Sequence, residues 1–106
     1  MKAYLINPFD WTVSEIDSFK GGNLQSIYQL LDCDTIDAVR PEGTTDVIYI
    51  DDEGLFKDDQ RFFFCKLFPY QSIAGKGLWI GTARDGYDTT PKESIDFVRS
   101  VILWQI

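Results

Sequence analysis

The run Asp46 to Asp51, D-V-I-Y-I-D, constrains the fold of this chain more than any other. Side chains alternate across a strand, so Val47 and Tyr49 point one way and Ile48 and Ile50 the other. Both directions are apolar. A strand apolar on both sides lies centrally in a sheet, and the rest of the chain has to supply its neighbours.

Those neighbours are readable. Lys2 to Asn7 alternates, with Ala3, Leu5 and Asn7 opposite Tyr4 and Ile6. Asn7-Pro8-Phe9-Asp10 is a turn signal, and Trp11 to Ile16 alternates again, which predicts an antiparallel hairpin. Gly21-Gly22 breaks the chain. Asn23 is a fair N-cap for a helix to about Asp32, with Leu24, Ile27, Tyr28 and Leu31 in one apolar stripe. Thr35 to Arg40 reads as a strand, turned by Pro41 to Thr44. Asp51 to Asp59 reads as a connection around Gly54, with a bulge or short strand at Leu55-Phe56. Arg61 to Tyr70 holds four of the eight Phe, and periodicity alone does not decide its structure. Residues 71–75 read as a loop. Lys76 to Thr82 predicts a strand with Leu78 and Ile80 on one face and Trp79 on the other. Gly77 and Gly81 there mark a bulge or a close backbone approach. Asp85-Gly86 is a turn inside a polar loop, Ala83 to Thr89. Thr90-Pro91-Lys92-Glu93 has the pattern of a capping box, which predicts a short helix to Phe97 or Val98 followed by a closing strand. With 106 residues, the expectation is one domain over 1–106. Its fold class is α+β: a single mostly antiparallel sheet with two helices packed on it.

Charge narrows the function. The net charge is −7, from 17 acids against 10 bases. Direct nucleic-acid binding needs a basic footprint, and an anionic membrane surface would repel this chain. The surplus is lopsided: residues 32–59 carry −8, and the remainder carries +1. Adjacent strands would gather that charge on one edge or end of the sheet, where it would speed encounter with a basic partner. Read more plainly, the same acids are solvated charges that keep sheet edges from aggregating.

Chemistry finds little support. There is no histidine, so the commonest general base is missing and no Ser-His or Cys-His pair exists. Asp51-Asp52-Glu53-Gly54 fails the spacing of a calcium loop, and zinc would have two cysteines and no histidine. The expectation is no enzyme, no metal and no cofactor. Cys33 and Cys65 follow apolar runs and read as small core residues. The N-terminus carries no cleavage pattern, and no apolar stretch approaches a membrane span, so the expected location is the cytoplasm, with reduced thiols.

A family resemblance rests on several segments in order. They are the opening strand pair, L-L-D-C-D-T-I-D-A-V-R, the strand leading to D-D-E-G-L, A-G-K-G-L-W-I-G-T and T-P-K-E-S-I-D-F-V. In these the chain resembles the small bacterial and phage proteins grouped as domain of unknown function 3846. The family carries no activity to transfer. The resemblance implies a context, cargo of phages and other mobile elements.

The expected function is therefore an acidic, non-catalytic binding protein that inhibits a host defence factor, of anti-CRISPR or anti-restriction type, by docking on a host or phage protein with a basic surface. Asp34, Asp37, Asp51, Asp52, Glu53, Asp58 and Asp59 would steer the encounter, and Phe9, Trp11 and Tyr70 would anchor it. The alternative is a protein that binds or sequesters a small molecule or (cyclic) nucleotide. In it Gly75, Lys76, Gly77, Trp79 and Arg84 would cradle a phosphate-bearing ligand, with a homo-oligomer as one way to complete the site.

Overall fold

A computed structural model describes residues 1–17, 24–54 and 60–105. The elements run β1 (Ala3–Asn7), β2 (Thr12–Ile16), α1 (Leu24–Leu31), β3 (Ile36–Val39), β4 (Val47–Asp51), β5 (Phe62–Cys65), β6 (Phe68–Ala74), β7 (Gly77–Thr82), β8 (Asp88–Thr89), α2 (Ile95–Val101) and β9 (Ile102–Gln105). No helix among the described residues is long and apolar enough to cross a membrane.

The strands form two sheets, and this corrects the expectation of a single one. The larger has the order β2-β1-β7-β4-β3, with β8 paired to β7, and every pairing is antiparallel. The smaller is β6-β5-β9, also antiparallel. β4 lies between β7 and β3, as its apolar run predicts. Each of its faces is covered by a different layer. On one side Ile27 and Leu31 of α1, with Cys33, pack on Ala3, Val47, Leu78 and Ile80. On the other side Phe63, Cys65 and Ile73 of the small sheet, with Val98 and Val101 of α2, pack on Tyr4, Ile6, Ile48 and Trp79. One short helix cannot cover both faces of a sheet, so the phenylalanine-rich stretch folds as a hairpin that supplies the second layer. Cys33 and Cys65 thus belong to opposite faces of the large sheet, and neither is in a disulfide.

Three local differences have clear causes. Residues 71–74 continue β6, because Phe62 pairs with Ala74 and Phe63 with Ile73. Leu24 is 52% exposed, so the apolar stripe of α1 is shorter than its spacing implies. That helix closes through Asp32, which is left-handed at φ 52°, with Cys33 N–H donating to the Tyr28 carbonyl at 3.0 Å. Asn23, its expected N-cap, and the expected bulge at Leu55-Phe56 lie outside the described residues. The third difference is at α2. Its N-cap is Ser94, whose hydroxyl accepts from Phe97 N–H at 3.1 Å. Thr90 to Glu93 make no capping box, because a buried carboxylate captures their amides. Lys92 N–H donates to Asp46 Oδ1 at 2.9 Å and Glu93 N–H to Asp46 Oδ2 at 3.1 Å.

Gly77 and Gly81 are close-approach positions, as their place in a strand predicts. A Cβ at Gly77 would stand 2.8 Å from Phe63 Cζ, and one at Gly81 only 2.3 Å from the Thr90 carbonyl oxygen.

Candidate functional site

Antiparallel order gives the large sheet two chemically different ends. At one end β1 and β4 finish while β7 and β3 begin, since Ile6 and Ile50 both pair with Gly77 and Ile36 pairs with Asp51. At the other end β3 and β7 finish while β4 begins. The first end gathers exposed acids; the second carries Arg40 and Arg84 among Glu42, Asp46, Asp88 and Glu93.

The acidic end is built by hydrogen bonds of its own loops. Asp51 is only 7% exposed, and its Oδ1 accepts from Glu53 N–H at 2.9 Å. Asp52 N–H reaches the Thr35 carbonyl at 3.2 Å, carrying the β3–β4 ladder one step past the strands. The buried turn residue Gly54 lies against Ala74, where a Cβ would come 2.8 Å from the carbonyl oxygen. This frame holds Asp52 and Glu53 out in solvent beside Asp34 and Asp37, which are also exposed. Four carboxylates of the sequence reading therefore stand exposed at one end of the sheet. Asp51 does not present its charge with them: it is a turn-former beneath the surface. Asp58 and Asp59 lie outside the described residues.

Aromatic residues divide differently from the expectation. Phe9, 42% exposed, joins the acidic end, lining a pocket of about 80 Å³ with Leu31, Asp32, Asp51, Gly75 and Lys76. Trp11, 55% exposed and left-handed at φ 58°, sits in the same β1–β2 turn and lines a neighbouring cleft with Arg61, Phe62 and Gln105. Tyr70 is exposed but belongs elsewhere. Its hydroxyl donates to Glu42, in the β3–β4 connection at the far end, and that bond pushes its phenol pKa upward. It is not grouped with the acids.

The five residues of the phosphate-cradle reading do not form one site. Lys76 is tied to Asp32 at 2.6 Å. Gly77 is buried under Phe63, and Trp79 is fully buried with its indole N–H donating to Asp46 Oδ2 at 2.8 Å. Arg84 follows β7 whereas Gly75 and Lys76 precede it, so a strand of about 20 Å separates them. Among the described residues no three Cys, Asp or Glu side chains converge as a metal-ligand set.

Asp46 is the residue that the sequence reading missed. Its charge falls within the −8 of residues 32–59, but it is 1% exposed and accepts from Trp79, Lys92 and Glu93. The available signal was its place directly before a strand that is apolar on both faces, together with a core tryptophan in need of an acceptor.

Compared with known families, residues 1–102 match the one described as domain of unknown function (DUF3846). The chain belongs to the DUF3846 family. The match spans both ends of the large sheet, so the acidic turn and the arginine loops both lie within the DUF3846 region. No curated protein and no solved structure matches the chain.

Proposed function

We propose that this chain is a non-catalytic binding protein that docks on a basic protein surface through the acidic end of its large sheet. One observation carries the reading: the β3–β4 register, with Ile36 opposite Asp51, brings Asp34, Asp37, Asp52 and Glu53 to one exposed end. Phe9 at the same end gives an apolar contact beside the charges. A row of carboxylates complements a groove shaped for phosphates, which fits a partner that itself binds nucleic acid. On this reading the protein is of phage or mobile-element origin, acts in the cytoplasm and blocks a host defence factor such as a CRISPR effector or restriction enzyme.

The test compares the native chain with a variant carrying D34N, D37N, D52N and E53Q. All four side chains are exposed, so the variant keeps its fold. A partner recovered by affinity capture from host lysate is purified, and its association rate is measured against ionic strength. The reading expects a rate that falls steeply with salt for the native chain, and a variant at least about tenfold slower with a flat salt response. Equal capture and equal rates for the two chains would refute it.

A further inference from the structure

At the opposite end of the sheet the topology assembles a second, differently charged place. β4 runs antiparallel to both neighbours, so the ends of β3 and β7 emerge on either side of its start. Arg40 directly follows β3, Arg84 lies just beyond β7, and Thr44 and Thr45 lead into β4 between them. Together with Thr82, Ala83 and the buried Asp46 these residues line one open cleft of about 330 Å³.

The state of the four arginines sets this pair apart. Arg99 donates to the Val13 carbonyl at 2.8 and 3.2 Å and stands 3.9 Å from Asp96. Arg61 donates to the Gln60 carbonyl at 3.2 Å. Arg40 and Arg84 are exposed, and neither guanidinium makes a hydrogen bond or an ion pair among the described residues. The carboxylates near them already have donors. Asp46 accepts three hydrogen bonds, Glu93 accepts from the Thr44 hydroxyl at 2.9 Å, and Asp88 accepts from the Tyr49 hydroxyl at 2.6 Å. Arg40 is close enough to Tyr49 that its charge acts on the phenol, against the rise that burial causes.

We propose that the Arg40–Arg84 cleft binds the phosphate group of a small organic phosphate of nucleotide size. Each guanidinium can offer paired N–H donors to a tetrahedral oxyanion, and the Thr45 and Thr82 hydroxyls add neutral ones. The cleft volume lies within the range of small-molecule sites, about 300–1,000 Å³, and exceeds what a bare phosphate fills. Net charge does not forbid this. The acidic end lies about a strand's length away, roughly 20 Å. That is more than twice the Debye length of about 8 Å at physiological ionic strength.

The experiment titrates the full chain with inorganic phosphate, adenosine 5′-monophosphate and adenosine, at constant ionic strength held with chloride, and follows backbone amides by NMR. Saturable shifts at Thr44, Thr45 and Ala83 are expected with both phosphate compounds and not with adenosine. Tighter binding of the monophosphate than of inorganic phosphate assigns the rest of the cleft to the organic part. Equal affinities would remove that part of the proposal. R40Q and R84Q are expected to weaken binding at least about tenfold each, and both arginines are exposed enough for the variants to fold. No saturable shift with either phosphate compound, or native affinity in the double variant, would overturn the proposal.

Discussion

Replacing Asp46 by alanine tests the packing logic most directly. The carboxylate is nearly inaccessible and holds three donors: Trp79 Nε1 at 2.8 Å, Lys92 N at 2.9 Å and Glu93 N at 3.1 Å. A hydrogen bond to a charged group contributes about 1.5–3 kcal/mol, and a buried donor left unpaired costs about 1–3 kcal/mol. The indole N–H belongs to a ring with no solvent exposure, so it bears the full penalty. The two amides lie in a part-buried segment that water can reach, so they bear less. Removing a buried charge returns part of the loss. The net expectation for D46A is about 3 kcal/mol of destabilisation, a large share of the roughly 5–15 kcal/mol that holds a domain folded. D46N separates charge from hydrogen bonding. Trp79 and Glu93 share one carboxylate oxygen, Oδ2, so an amide oxygen placed there keeps two of the three bonds. Its NH2 then faces Lys92 N–H, donor against donor, at a cost of about 1–2 kcal/mol. Urea unfolding followed by tryptophan fluorescence reads both variants. With a slope near 2 kcal/mol per molar, the D46A midpoint falls by about 1.5 M and the D46N midpoint by about 0.5–1 M. A D46A midpoint within about 0.3 M of the native value, or D46N less stable than D46A, would refute the reasoning.

Three other outcomes follow from the packing. G81A is expected to cost about 2 kcal/mol or more by thermal unfolding, because the new Cβ meets backbone at 2.3 Å; G86A, at φ +87° with nothing within 4 Å, costs about 1 kcal/mol from strain alone, and the reverse order would contradict the geometry. Both cysteines are buried, and burial pushes the Cys65 thiol pKa up, so a thiol reagent is expected to label neither in the native protein and both after unfolding; fast native labelling of Cys65 would contradict its place in the core. Tyr49 has its phenol pKa pushed up from 10.0 to about 12, first by burial and then by its hydrogen bond to Asp88. The folded value lies above the unfolded one, so its contribution to stability is complete below pH 10 and is lost as pH rises toward about 12. Phenolate absorbance is expected to show a step near pH 12 from Tyr49, moved back toward the ordinary value by D88N.

Much of the fold was legible because local patterns carry it. The β1–β2 hairpin, the central β4, the two faces of β7 and the C-terminal strand all follow from period-two alternation and turn residues. Residues 71–74 were not legible, because Q-S-I-A offers little apolar alternation and becomes a strand only by pairing with β5. The start of α2 was misread for a related reason. Thr90 to Glu93 has the local pattern of a cap, but a residue far away in sequence offered its amides a better acceptor. The acidic end was half legible: charge density along residues 32–59 is in the sequence, and the burial of Asp51 is not.

The sequence by itself determined both helices and the strands of the β1–β2 hairpin, β3, β4, β7 and the C-terminal strand, and that one strand had to be covered on both faces. It also determined the imbalance of charge along the chain. Only the tertiary structure decided that the cover comes from a second sheet, that Lys76 is tied to Asp32, and that Arg40 and Arg84 share a cleft. The reason is physical. Alternation records which side of a strand is dry, a local property, whereas strand order and register are long-range pairings that leave no period in the sequence.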